Sequence, residues 1–252
     1  MIKVLQTYIQ QRFSSGLFAT FAIWLFLYSV PFFDMNVMSA LYVMKVFFIL
    51  WCFRLYDDVM QWKHDAHLSD RIYTSKELRS KLILPLILSI GFIPLLTAND
   101  GPAFEIASAW FYFILVNHLL YKVFINTEYG AFLLPLLKYP VLFLYLVYSS
   151  AGEVDFNWAM LLSALALFCA MFFYDLLDNS STSGRQSLWA YLIVVFSVVA
   201  VAVQNLALIS VVFGAVILLA SITITHLRIR GMAKVWLILF LMLKLIVNNY
   251  GI

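Results

Sequence analysis

The sequence predicts an all-α, polytopic bundle of about nine transmembrane helices, and three observations carry that prediction. The first is composition: of 252 residues, 64% are hydrophobic, 17% aromatic and only 12% charged, with a mean hydropathy of +0.95. Soluble domains carry about 25% charged residues, and half that charge cannot cover a water-facing surface. The second is run length. A bilayer core takes about 20 residues of helix, which leaves room for roughly eight to ten spans and none for a folded extramembrane domain. The third is the way lysine and arginine sort between loops.

The first apolar run, 16–33, follows Lys3 and Arg12 and stops at Asp34. The second, 38–57, ends in a polar segment that holds Arg54, Lys63, Arg71, Lys76, Arg79 and Lys81. The third, 82–97, and the fourth, 103–125, are separated by Asp100, and Lys122 marks the end of the fourth. The fifth, 130–149, and the sixth, 157–176, flank Glu153 and Asp155, and Arg185 follows the sixth. The seventh, 187–206, and the eighth, 207–226, are divided only by Gln204 and Asn205, so one long kinked element is the alternative there. The ninth, 232–249, follows Arg228, Arg230 and Lys234. With nine spans every one of these cations falls on the same side, which the positive-inside rule makes cytoplasmic together with the N-terminus. The first run is expected to remain as an uncleaved span. The whole chain, 1–252, reads as one transmembrane domain without repeats or linkers.

Cys52 and Cys169 lie inside apolar runs, which leaves no disulfide framework and no C-x-x-C motif. Both read as small buried apolar side chains.

The polar residues concentrate at the ends of the second and sixth spans. The second closes on Arg54-Leu55-Tyr56-Asp57-Asp58-Val59-Met60-Gln61-Trp62-Lys63-His64-Asp65 and the sixth on Tyr174-Asp175-Leu176-Leu177-Asp178. If both helices continue, Asp57, Gln61 and Asp65 share one face at i, i+4 and i+8, with Asp58 beside them, and Asp175 and Asp178 share another at i and i+3. Carboxylates gathered at a membrane boundary repel one another and need a compensating cation. Mg²⁺ suits hard oxygen ligands and bridges carboxylates to phosphate oxygens, so Asp57, Asp58, Gln61, Asp65, Asp175 and Asp178 are the candidate ligands. Zinc has no Cys/His set here. The plain alternative is that these acids only mark the interface.

A diphosphate fits such a clamp. A metal–diphosphate complex is a good leaving group, and its departure from an allylic carbon leaves a carbocation, which needs a dry chamber lined with aromatic faces. Tyr56, Trp62, Tyr121, Tyr139, Tyr145, Phe172, Phe173 and Tyr174 are candidates for that wall, although 23 Phe and 14 Tyr make aromatic neighbours common anywhere in the chain.

On these residues the chain resembles the UbiA superfamily of intramembrane prenyltransferases, which have nine helical spans and two Asp-rich motifs on cytoplasmic helix ends. The first motif falls on Asp57, Asp58, Gln61 and Asp65, with Gln at a position usually occupied by Asp. The second falls on Asp175, Asp178, Gly184 and Arg185. In the stretch Ser69-Asp70-Arg71-Ile72-Tyr73-Thr74-Ser75-Lys76, Arg71 takes the place of the family's Arg, and the usual Pro-Leu is missing. The resemblance implies a UbiA-like bundle in which Asp57, Asp58, Asp65, Asp175, Asp178 and Lys138 are catalytic. It implies a Mg²⁺ cofactor, and a diphosphate contact for Lys138.

Lys138, about eight residues into the expected fifth helix, lies about 12 Å below its cytoplasmic end, where snorkelling or a structural ion pair is the alternative role. Arg71, Lys122 and Arg185 serve either the diphosphate or membrane topology, and Arg54 either an intrahelical salt bridge or a phosphate. Lys45 and Lys244 read as snorkelling, His64 and His67 as loop residues, and His118 and His226 as helix-end residues.

Three functions stay open at this point: a prenyltransferase acting on a lipophilic, aromatic or lipid acceptor; a terpene cyclase that needs no acceptor; and an ion-coupled transporter. Transport sites lie near the bilayer midplane, away from where these acids cluster. The expected location is a bacterial inner membrane, and no nucleic-acid partner is expected.

Overall fold

The computed structural model describes residues 2–13, 15–30, 37–63, 65, 71–124, 127, 130, 133–151, 157–178, 186–204, 208–227 and 232–249. Of these, 15, 37–38, 150–151, 178, 186–191, 208, 225–227 and 249 are described by their main chain alone. The described residues form ten α-helices and no strand. They are α1 (Ile2–Arg12), α2 (Ser15–Ser29), α3 (Val37–Met60), α4 (Lys76–Thr97), α5 (Ala103–Phe124), α6 (Lys138–Ala151), α7 (Trp158–Asp178), α8 (Gln186–Ala202), α9 (Leu208–Leu227) and α10 (Ala233–Asn249).

Helices α2 to α10 correspond in order to the nine expected apolar runs, and α1 is an addition. Segments within α3, α4, α5 and α7 are long and apolar enough to cross a membrane. At 1.5 Å per residue, a helix of 22 residues spans about 33 Å, the thickness of a hydrocarbon core. The outer faces of α4 and α5 carry exposed Leu84, Leu88, Phe92, Leu95, Phe111, Leu115 and Val123. Contiguous exposure of large apolar side chains suits lipid and not water.

Two expectations about boundaries resolve differently. The long apolar stretch at 187–226 is divided, because α8 ends at Ala202 and α9 begins at Leu208. The fifth run is shorter than expected: a 3₁₀ turn, Leu134–Leu136, carrying Pro135, precedes α6, which starts at Lys138. Proline has no N–H to give and fixes its φ, so Pro135 favours a tight turn ahead of a helix over the middle of one. Lys138 is therefore the first residue of a helix and does not stand deep within one.

The chain forms two compact units: Met1–Ile23 with Val37–Lys138, and Trp24–Asn36 with Tyr139–Ile252. In the first, α4 packs against α1, α3 and α5. In the second, α7, α8 and α10 pack on one another, and α9 packs on α8 and α10. A buried aromatic stack, Tyr28, Phe240, Trp236 and Phe173, runs through the second unit.

The turn that closes α5 has no room for a side chain at Gly130. The Thr127 hydroxyl donates to the Phe124 carbonyl at 2.6 Å, and the Gly130 N–H donates back to Thr127 Oγ1 at 3.0 Å. A Cβ on Gly130 would lie 1.9 Å from the Phe124 carbonyl oxygen, which is main chain and cannot swing aside. Gly130→Ala is expected to cost about 1–3 kcal/mol, read as a fall in the melting temperature of the detergent-solubilised protein. An unchanged melting point would refute the packing described for this turn.

Candidate functional site

The first unit gathers three carboxylates from the end of α3 and the segment after it. Asp57 and Asp58 stand in the last turn of α3, where the C-terminal end of the helix dipole disfavours negative charge. Both are buried, at 3% and 2% exposure. Burial at the unfavourable end of a helix requires partners, and each carboxylate has its own set.

Asp57 accepts from the Lys138 ammonium and from the Tyr121 hydroxyl at 2.8 Å. Asp58 is gripped by a residue on α1: Arg12 donates through Nε at 3.1 Å and Nη2 at 2.9 Å, a two-point contact that an ammonium cannot make. Tyr8, one turn earlier on the same helix and fully buried, donates its hydroxyl to Asp58 at 2.9 Å. Burial first, and the Asp58 charge second, hold the Tyr8 phenol well above its usual pKa, so it remains a donor. Arg54 adds an ion pair at 3.4 Å from within α3, as the i, i+4 spacing predicted.

Asp65 lies beyond the helix. Its N–H still donates to the Gln61 carbonyl at 3.1 Å, and the Gln61 N–H donates to the Asp57 carbonyl at 2.8 Å, but α3 itself ends at Met60. The single helical face expected for Asp57, Gln61 and Asp65 is therefore replaced by a turn that carries Asp65 to other partners. Arg71 donates to it at 3.0 Å, and so does the Tyr73 hydroxyl, while Arg71 also donates to Tyr73 at 2.8 Å. The Arg12 guanidinium lies over the Tyr73 ring at 5.2 Å, which joins this group to Asp58. Gln11 accepts from the Ile72 N–H at 3.2 Å, so α1 is pinned to the same turn.

Among the described residues the network thus sets Arg12, Arg54, Arg71 and Lys138 against Asp57, Asp58 and Asp65, with one positive charge in excess. The compensation expected from Mg²⁺ is supplied by protein side chains. Among the described residues no three acid, histidine or cysteine side chains converge to hold a metal ion. The carboxylates have the right chemistry for a hard cation, but they turn to separate cations and do not form a common ligand set. The described arrangement therefore does not fit the ion.

Other expected site residues are placed as follows. Tyr56 and Tyr121 are buried and meet edge to face at 5.5 Å, with Tyr121 committed to Asp57. The Tyr56 hydroxyl lies 3.4 Å from His118 Nδ1, so His118 belongs to the body of α5 and not to a helix end. Trp62 lies under the Arg79 guanidinium at 3.6 Å. Lys122 is exposed in the last turn of α5 and pairs with no carboxylate among the described residues. In the second unit, α7 runs unbroken through Asp175 and Asp178, which keeps them at i and i+3. Tyr139, Phe172, Tyr174 and Asp175 are half-buried, and Tyr145 and Phe173 are buried. The Asp178 side chain lies outside the described residues, as do Gly184, Arg185, His64 and His67.

Neither Lys45 nor Lys244 snorkels. Lys45 pairs with Asp100 and lies over Tyr42. Lys244 is buried and donates to Ser163 Oγ at 2.9 Å and to Gln204 Oε1 at 2.8 Å.

Tyr8, Arg12 and Tyr73 join the site although the sequence does not single them out for it. The available signal is Tyr8 and Arg12 at i, i+4 on a short helix too polar to be a span. In comparisons with known proteins, no family model, curated protein or solved structure matched the chain.

Proposed function

We propose that the protein is an intramembrane enzyme that ionises an isoprenoid diphosphate and transfers the prenyl group to a lipophilic acceptor. The observation that carries the reading is the network of buried Lys138 and three partly buried arginines with three buried carboxylates, with its excess positive charge, at the end of an apolar helix. An anion is the ligand such a network favours. The resemblance of Asp57, Asp58, Gln61 and Asp65, and of Asp175 and Asp178, to the two UbiA motifs makes that anion a diphosphate.

In this reading Lys138, Arg12 and Arg71 receive the charge that develops on the leaving group. The allylic C–O bond breaks and its electron pair leaves with the diphosphate. A nucleophilic atom of the acceptor supplies the pair for the new bond, and the acceptor proton passes to the released diphosphate. Asp57 and Asp58 hold Lys138 and Arg12 in place before the substrate arrives. Asp175 and Asp178 enter the proposal from sequence alone, and so does Mg²⁺. The proposal includes nine spans in a bacterial inner membrane, with the N-terminus and the first motif cytoplasmic, on the positive-inside pattern.

The second reading is a cyclase on the same scaffold, favoured by the missing Pro-Leu after Arg71 in the segment that follows the first motif. One experiment tests both: purified protein with C10, C15 and C20 allylic diphosphates, diphosphate release measured with and without aromatic or lipid acceptors, and the extract analysed by mass spectrometry. Acceptor-dependent release is expected. A cyclic product formed without acceptor would move the assignment to the cyclase, and no release under any condition would overturn both. Asp175→Ala is expected to lower release at least about 10²-fold, and full turnover in that variant would remove the second motif from the site.

A further inference from the structure

Between α3, α4 and α5 lies a crevice lined by Cys52, Phe53, Tyr56, Ile90, Ile93, Ile114 and Asn117. Its walls are almost wholly apolar, and it is too narrow to admit a water molecule. Asn117 is 4% exposed, and its side-chain oxygen has no hydrogen-bond partner. No described side chain or main-chain group satisfies that oxygen. A buried acceptor left unpaired is unfavourable by itself and points to a donor that arrives from outside the chain.

The crevice adjoins the charged network. Tyr56 lines it, precedes Asp57 in sequence and packs edge to face on Tyr121, which bonds Asp57. Asn117 lies one turn before Tyr121 on α5. From that end the lining turns apolar, with three isoleucines, a phenylalanine and a cysteine.

We infer that this crevice is a binding site for a slim lipophilic molecule bearing one hydroxyl group, which donates to Asn117 Oδ1 while its hydrocarbon part separates the isoleucine walls. This deepens the proposed function by naming the acceptor class, and it rests on that proposal only for the word acceptor. Binding itself requires no diphosphate and no turnover.

The test uses the full chain in lipid nanodiscs, with a C15 prenyl alcohol and its methyl ether as probes. The alcohol can donate and the ether cannot, and the two are otherwise alike. The expected result is binding of the alcohol about tenfold tighter than the ether, since a site built around a hydroxyl rejects the analogue that leaves its acceptor unpaired. Asn117→Leu is expected to erase the difference by weakening the alcohol alone. Equal affinities in the unmodified protein, or a preference that survives Asn117→Leu, would overturn the site. If discrimination is seen but no allylic diphosphate is ever turned over, the enzyme reading fails and the binding site stands.

Discussion

Asp57→Asn is expected to slow diphosphate release from an allylic substrate by about 10²- to 10³-fold while tightening the binding of inorganic diphosphate about tenfold. The two effects have opposite signs for one reason. Asp57 contributes a negative charge inside a network whose cations are proposed to hold the anion, so removing it raises the local positive potential. Asp57 also fixes the Lys138 ammonium and the Tyr121 hydroxyl, and an amide in its place holds the ammonium less firmly where the leaving group needs it. At an effective dielectric of about 20, one charge at 4 Å is worth about 4 kcal/mol, and screening at the mouth of the site reduces this to the expected tenfold, about 1.4 kcal/mol. Calorimetric titration of the variant in EDTA reads the sign directly. Weaker binding in EDTA would overturn the direct role of the side-chain cations. Weaker binding that appears only with Mg²⁺ would show that an ion bridges Asp57 to the ligand after displacing Lys138. The substitution also takes from buried Lys138 the opposing charge of its Asp57 ion pair, at a cost of about 3–5 kcal/mol. Adding Lys138→Met to Asp57→Asn should therefore restore the melting temperature and leave turnover low, which separates folding from chemistry.

The parts of the fold that are legible in the sequence are those governed by local chemistry. Nine apolar runs give the order of α2 to α10, because span length depends on side-chain polarity alone. The division near Gln204 is readable because a polar pair interrupts an apolar run. The salt bridge from Arg54 to Asp58 follows from helical spacing. The place of Lys138 is hidden because Pro135 and Pro140 stand in an apolar stretch whose hydropathy masks a 3₁₀ turn, and local polarity does not reveal where a helix starts. Arg12 reads as a topology signal because its contact with Asp58 spans 46 residues of chain, and no pattern in either segment announces the other. The same holds for Lys244 with Ser163, which are 81 residues apart. The acids are adjacent in sequence and so suggest a metal ion as their compensating charge, whereas the cations that supply it reach them only through folding.

Arg12 carries the second large expectation. Arg12→Gln should weaken diphosphate binding about tenfold, raise KM for an allylic diphosphate by a similar factor and also lower kcat, because Arg12 is proposed to receive charge as the diphosphate leaves. The substitution removes the excess positive charge of the network and both hydrogen bonds to Asp58, but it leaves Lys138 on Asp57 and Arg71 on Asp65. Asp58 keeps Tyr8 and Arg54, so the buried carboxylate is not abandoned, and a stability loss of about 1–3 kcal/mol is expected. Because Gln11 and Tyr8 still tie α1 to the turn at Ile72 and to Asp58, the helix should loosen without leaving. Arg12→Lys keeps the charge and gives up the two-point contact, so it should recover most of the affinity and only part of the stability. Lys3→Gln, exposed on the same helix, should change neither. Raising salt should narrow the difference between the unmodified protein and Arg12→Gln, as a charge effect requires. If Arg12→Gln and Lys3→Gln lowered binding equally, the effect would belong to the overall charge of α1 and its surroundings, and Arg12 would have no particular place in the site.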